Sequence, residues 1–123
     1  MIDKLTFNEY YCKIVYTHYA DGNKCIALVD ATDGSPVAKC TVNIPDLMAE
    51  VNDAMQEAEQ LSDSDWDKIK HEIVFIKDYS ENEGMYQAMK EAGMIYTKWA
   101  DANVGYTSVP VTQLTPLALE GWK

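Results

Sequence analysis

Arginine is absent, and all ten basic residues of the chain are lysines. The planar guanidinium fork that grips phosphate or carboxylate through two parallel hydrogen bonds is therefore missing, which weighs against a phosphate-handling enzyme. Cysteine is scarce: Cys12, Cys25 and Cys40 form an odd set with no close pair, which fits reduced thiols in a cytoplasm better than a disulfide framework. Histidine occurs only as His18 and His71. The spacing Cys12, His18, Cys25, Cys40 matches no compact zinc pattern, and strand-borne cysteines are ordinarily small buried hydrophobes, so no metal or cofactor is expected. His71 sits beside Lys68 and Lys70 and reads as solvated. No glycine-rich phosphate loop, GxSxG elbow or HExxH helix occurs. The acidic run from Asp78 to Glu83 lacks the alternate ligands and the glycine of a calcium loop. No catalytic residues are assigned, and a protein that is not an enzyme is expected. No segment approaches about 18 apolar residues, and MIDKLTFNEYY has no basic region followed by an apolar run, so a cytoplasmic, non-membrane location is expected.

What is abundant is negative charge. Twenty carboxylates against ten lysines give a formal charge of −10, which disfavours free nucleic acid and anionic membranes as partners and favours a basic protein. Between Thr41 and Asp67 stand eight carboxylates and no basic residue: Asp46, Glu50, Asp53, Glu57, Glu59, Asp63, Asp65 and Asp67. The first four are spaced so that a helix aligns them along one side. Like charges at that spacing cost a few tenths of a kcal/mol per pair, a burden that either simple solubility or a cationic partner would explain.

At 123 residues the chain fits a single domain, 1–123, with an acidic helical insert over about 46–70. The expected fold is α+β: an antiparallel meander sheet of about five to six strands with two to three helices packed on one face. Asp21-Gly22 and Asp33-Gly34 interrupt runs rich in Val, Ile, Tyr and Thr, predicting a three-stranded meander from Leu5 to Thr41. Two-residue turns there would set Ala20 opposite Asn23 and Thr32 opposite Ser35. Cys12, Ile14, Tyr16, His18, Cys25, Ala27, Val29, Ala38, Cys40 and Val42 would then share the covered face, leaving Lys13, Thr17, Lys24 and Lys39 on the wetter one. Pro45-Asp46 opens a helix with Asp46 as N-cap and Leu47, Val51, Ala54, Met55, Ala58 and Leu61 as its apolar side. A short helix from Ser62 or Ser64 to Lys70 would bury Trp66 and Ile69, and Ile73–Ile76 suits an interior strand. Ser80 to Glu83 spells a capping box ahead of a helix that buries Met85, Ala88, Met89 and Ala92 and ends at Gly93. Met94 to Trp99 and Tyr106 to Leu114 close the sheet, Pro110 marking an edge or bulge, and Thr115 to Lys123 reads as irregular.

Two segments, LVDATDGSPVAKCTVNIPD (Leu28 to Asp46) and IVFIKDYSENEGMYQAMKEAGMI (Ile73 to Ile95), resemble a family of small proteins of unassigned function encoded on bacteriophages and conjugative elements, especially of gut bacteria. Against that family the acidic segment and Trp66 look like an insertion. A weaker similarity runs to the antirestriction protein of conjugative elements, a DNA mimic, through Tyr19 to Gly22, Val29-Asp30, Pro45-Asp46 and Phe75 to Tyr79. That resemblance implies an inhibitor that occupies the nucleic-acid groove of a host defence enzyme, a restriction or CRISPR nuclease. Its partner-binding residues would be Asp46, Glu50, Asp53, Glu57, Asp63, Asp65 and Asp67. Two other readings stand beside it. One is a non-catalytic interaction or accessory module, a homodimer paired through the Pro110 strand or through aromatic groups, since Tyr and Trp favour interfaces. The other is sequestration of a signalling nucleotide by Lys13, Lys24, Lys39 and stacked aromatic residues drawn from Tyr10, Tyr11, Tyr16, Tyr19, Tyr96, Trp99 and Tyr106.

Overall fold

The computed structural model describes residues 1–44, 46, 49–51, 53, 57 and 62–123. It is an α+β fold with two four-stranded antiparallel sheets, not one meander of five to six strands. Sheet A has the order β1 (Lys4–Phe7), β2 (Tyr10–His18), β3 (Lys24–Asp30), β4 (Pro36–Lys39). Sheet B has the order β5 (Thr41–Val42), β6 (Ile73–Ile76), β8 (Thr107–Leu114), β7 (Ile95–Val104). Helix α1 is helical at the described residues 46, 49–51, 53 and 57; α2 is Asp63–Ile69, α3 Met85–Glu91 and α4 Pro116–Leu119. The predicted apolar positions Leu47, Ala54, Met55, Ala58 and Leu61 lie outside the described residues. Asp46 stands within the helix, so it does not occupy the non-helical N-cap position foreseen for it.

Strand β1 was not foreseen, because the turn joining it to β2 carries no glycine. Phe7 pairs directly with Tyr10, and the two turn residues Asn8 and Glu9 have φ of 47° and 72°. Both central residues of such a hairpin turn must be left-handed, which suits Asn and strains Glu. Glu9→Gly is expected to stabilise the fold by about 0.5–1 kcal/mol, relief of the left-handed side chain outweighing the added freedom of the unfolded chain. A urea midpoint that failed to rise would show that Glu9 is unstrained.

The second turn corrects the predicted register. Tyr19 donates its backbone N–H to the Asn23 carbonyl at 2.8 Å, so the turn encloses three residues, Ala20 to Gly22, and the ladder ends at His18 opposite Lys24, with Tyr19 rather than Ala20 bonded to Asn23. A one-residue slip exchanges the two faces of a strand. Ile26 and Leu28 therefore point into the core beside Ile14, Tyr16 and Cys12, whereas Cys25, Ala27 and Val29 lie on the other face. His18 is exposed, and Lys24 shares its face. A bulge at Leu28/Val29 resets β4, and Ala38 and Cys40 reach the core as foreseen.

At Cys40 the chain passes from one sheet to the other. Its N–H bonds the Ile26 carbonyl of sheet A at 2.9 Å, and its carbonyl accepts from Lys77, just past β6, at 2.8 Å. Along β6 the side chains then alternate between two cores. Val74 and Ile76 join Ile14, Ile26, Leu28, Met85, Met89 and Leu114, while Ile73 and Phe75 join Trp66, Val109 and Val111. The helices accordingly cover two sides, not one. α3 and α4 fill the core between the sheets, and Trp66 and Ile69 of α2 with Val51 of α1 cover the far side of sheet B.

Three local expectations change. Ser80 does not cap α3: it has φ of 57° in a 3₁₀ turn, and Asp78 Oδ1 accepts from the N–H groups of Gly84 and Tyr86 at 3.0 Å each. The end of α3 is as predicted, with Gly93 at φ 84° and Met94 N–H bonded back to Met89. The C-terminal segment is ordered, Thr115 capping α4 through Ala118 N–H with Pro116 in the first turn. Strand β8 is interior by order, but its ladder with β6 ends at Phe75–Val111, so at Pro110 only β7 is paired and the missing N–H is tolerated.

Candidate partner-binding surface

All four carboxylates of α1 stand at described helical positions. At about 100° per residue, an unbroken helix would hold Asp46, Glu50, Asp53 and Glu57 within an arc of about 60°, with Val51 about 130° from its centre. The structure agrees with that division: Val51 is half-buried against the Trp66 core, and all four carboxylates are exposed. Among the described residues none of the four pairs with a cation. On such a helix the row would be about 16 Å long, one charge per about 5.5 Å, against one per about 3.4 Å along a DNA strand. It has about six-tenths of a strand's linear charge density.

The three acids of α2 are arranged differently. All are exposed, but residues two apart on a helix lie about 200° apart, so Asp65 projects away from Asp63 and Asp67. Ser62 caps this helix through the Asp65 N–H at 3.2 Å, and Asp63 and Asp65 occupy its first turn, where the helix dipole favours negative charge. Asp67 is held by Lys70 at 2.9 Å. The seven predicted residues thus form one row of four on α1 and a separate, locally satisfied group on α2.

The other sequence candidates do not assemble into sites. Among the described residues no three His, Cys, Asp or Glu side chains approach closely enough to hold a metal. Cys12 and Cys40 face the inter-sheet core, Cys25 lies on the opposite side of β3, and burial pushes the Cys40 thiol far above its ordinary range. A buried thiol held protonated is a poor nucleophile. Lys24 is separated from Lys13 and Lys39 by the sheet and lies 5.4 Å over the Trp122 ring, its pKa lowered chiefly by burial.

The aromatic residues are likewise dispersed. Tyr16 donates its hydroxyl to the Ile2 carbonyl, Tyr19 bonds Thr41 at 2.9 Å, and of the exposed tyrosines Tyr10 and Tyr11 point to opposite faces of β2, Tyr96 lies on β7 and Tyr106 in the turn after it. A cavity of about 160 Å³ is lined by Asn23, Lys24, Asn43, Lys70 and His71. Asn23 and Asn43 already donate to Asp21, at 3.2 and 2.8 Å, and Lys70 holds Asp67.

No protein-family model, curated protein or solved structure matches the chain. The two segments that carry the resemblance meet in space, which assigns their wording a structural task. Thr41 pairs with Ile76, and the Asn82 amide, from the SENEG phrase, donates to the Lys39 carbonyl. Asn82 is 2% exposed. The spacing of this acidic run spells a capping box, whereas the buried asparagine that ties the α3 approach to β4 carries no signal in spacing alone.

Proposed function

We propose that the chain is an acidic inhibitor, encoded by a phage or mobile element, that occupies the nucleic-acid groove of a host restriction or CRISPR enzyme. The observation that carries this reading is the row of four exposed carboxylates on α1, unpaired among the described residues. Beyond Asp46, which the helix dipole favours in the first turn, the row stabilises nothing within its own helix, where like charges at these spacings repel. In the groove of a basic enzyme the same row would displace bound counterions, so binding would weaken with salt. The family resemblance favours the same setting.

The quadruple variant Asp46→Asn, Glu50→Gln, Asp53→Asn, Glu57→Gln tests it against purified restriction and CRISPR nucleases. Expected is inhibition of cleavage by the parent chain that is lost at high salt, and a fall of about tenfold or more in affinity for the variant. Its urea midpoint should be unchanged or slightly raised. Binding that survives both the neutralised helix and high salt would reject mimicry in favour of an interaction module. For that second reading, pairing through the long edge strand of sheet B, β7, is opposed by its bulges at Ile95/Thr97 and Lys98/Ala100. Bulges are a common device against edge-to-edge pairing.

A further inference from the structure

We propose that the uncovered face of sheet A is a docking surface for helix α1 of a second copy of this chain, so that copies associate head to tail. The register places Lys4, Lys13, Val15, Ala27, Val29 and Lys39 on that face, away from the inter-sheet core. An antiparallel sheet with one wet side ordinarily alternates apolar inward and polar outward. Here the centre of the wet side is itself apolar: Val15, Ala27 and Val29 are only partly buried and line a shallow groove with Pro36 and Lys39.

The charge on this face is the inverse of the chain's. Its strand positions carry three lysines and no carboxylate, in a protein of charge −10. Lys4 and Lys13 lie directly opposite one another across β1 and β2, a like-charge pairing that costs stability. Lys13 has no ion pair among the described residues; Lys39 lies 5.8 Å over the Tyr19 ring, and Lys4 reaches Asp3 at 3.5 Å.

The acidic row of α1 lies beyond the other core, on the far side of sheet B. The chain therefore bears a cationic, partly apolar face and an anionic helix on opposite outer sides. Among the described residues of that helix, Ala49 is small and exposed beside Glu50. One copy's helix can meet the next copy's sheet. Because the two surfaces differ, the contact is heterologous and each addition leaves both ends free to grow. The net charge of the copies opposes their approach. At about 0.1 M salt, however, charges more than about 10 Å apart are largely screened, while the lysine–carboxylate contacts remain.

Sedimentation velocity of the full chain decides it. At about 0.1 M salt the parent should form oligomers that grow with concentration, and at about 1 M, where the screening length is about 3 Å, it should be monomeric. Lys13→Glu/Lys39→Glu and Asp53→Lys/Glu57→Lys should each be monomeric at both salts, with circular dichroism matching the parent. Their equimolar mixture should again form oligomers, since the intact helix of one meets the intact face of the other and the introduced glutamates meet the introduced lysines. A parent that is monomeric at about 0.1 M, or a mixture that stays monomeric, overturns the proposal. So does a monomeric parent that binds a single-stranded oligonucleotide through Lys13 and Lys39. The Lys13→Glu/Lys39→Glu variant keeps α1 intact, so its inhibition of a nuclease tests the functional reading separately.

Discussion

Trp66→Ala should destabilise the protein by about 3–5 kcal/mol, the usual cost of removing a buried indole. Trp66 is 5% exposed and anchors the core formed with Ile73, Phe75, Val109 and Val111. That core is what attaches the acidic segment, because α2 contributes only Trp66 and Ile69 to it and α1 contributes Val51 among the described residues. A seven-residue helix such as α2 has no stability of its own in water and depends on this packing. The loss would be a large fraction of the about 5–15 kcal/mol typical of a domain. Hydrogen exchange should therefore show protection falling first over 63–72 in the variant, while β2 and β3, which rest on the other core, stay protected. Trp66→Phe should recover part of the loss. A midpoint shift below about 1 kcal/mol would mean that the acidic segment is held by something other than this side chain. If the α1 row binds a basic enzyme, the same variant should weaken inhibition although it alters no charge.

Period and turn chemistry made the α+β class, the helices α1 to α3 and the strand Ile73–Ile76 legible, as well as the Gly93 stop. They misplaced β3 by one residue, since Asp21-Gly22 signals a turn without giving its length. Three residues in place of two moved Ile26 and Leu28 inward and sent Cys25 to the other side. The division into two sheets was hidden for a related reason. It depends on Cys40, where donor and acceptor serve different sheets, and nothing in an unbroken strand-like run announces that change of partner. Strand β1 escaped because Asn8-Glu9 is an unusual left-handed pair. The exposed carboxylates of α1 were readable from spacing alone, because only helical period and polarity matter there. The lysine face of sheet A was readable in part: Lys13 and Lys39 fall on the wetter side as the period predicts, but Lys24 belongs to the other face, and the apolar centre, with Val29 beside Lys13 and Ala27 beside Lys39, exists only in the true register.

Gly121→Ala should cost about 1–3 kcal/mol, although a Gly-to-Ala change in a helical turn ordinarily stabilises. Gly121 lies in the 3₁₀ turn Glu120–Trp122, and a methyl group on its Cα would fall within the Tyr16 ring. The ring cannot yield easily. Its hydroxyl donates to the Ile2 carbonyl, and its edge meets the Trp122 ring at 4.8 Å and 73°. Trp122 is itself fixed, donating to the Thr17 carbonyl at 2.8 Å beneath the Lys24 ammonium. The added methyl must therefore lift the C-terminal turn from β2. Tyr16 offers a direct readout, because burial first, and the Asp3 carboxylate second, raise its pKa to about 12. With the turn lifted and water admitted, the phenol should titrate closer to 10, its unperturbed value. Raising the pH ionises an exposed tyrosine in the unfolded chain before it ionises Tyr16 in the fold, so the parent should lose stability between pH about 10 and 12. That alkaline loss should shrink in the variant as the two pKa values converge. An unchanged urea midpoint together with an unchanged tyrosine titration would show that the turn accepts the methyl without moving, and that Gly121 is not what seats the C-terminal segment on the sheet.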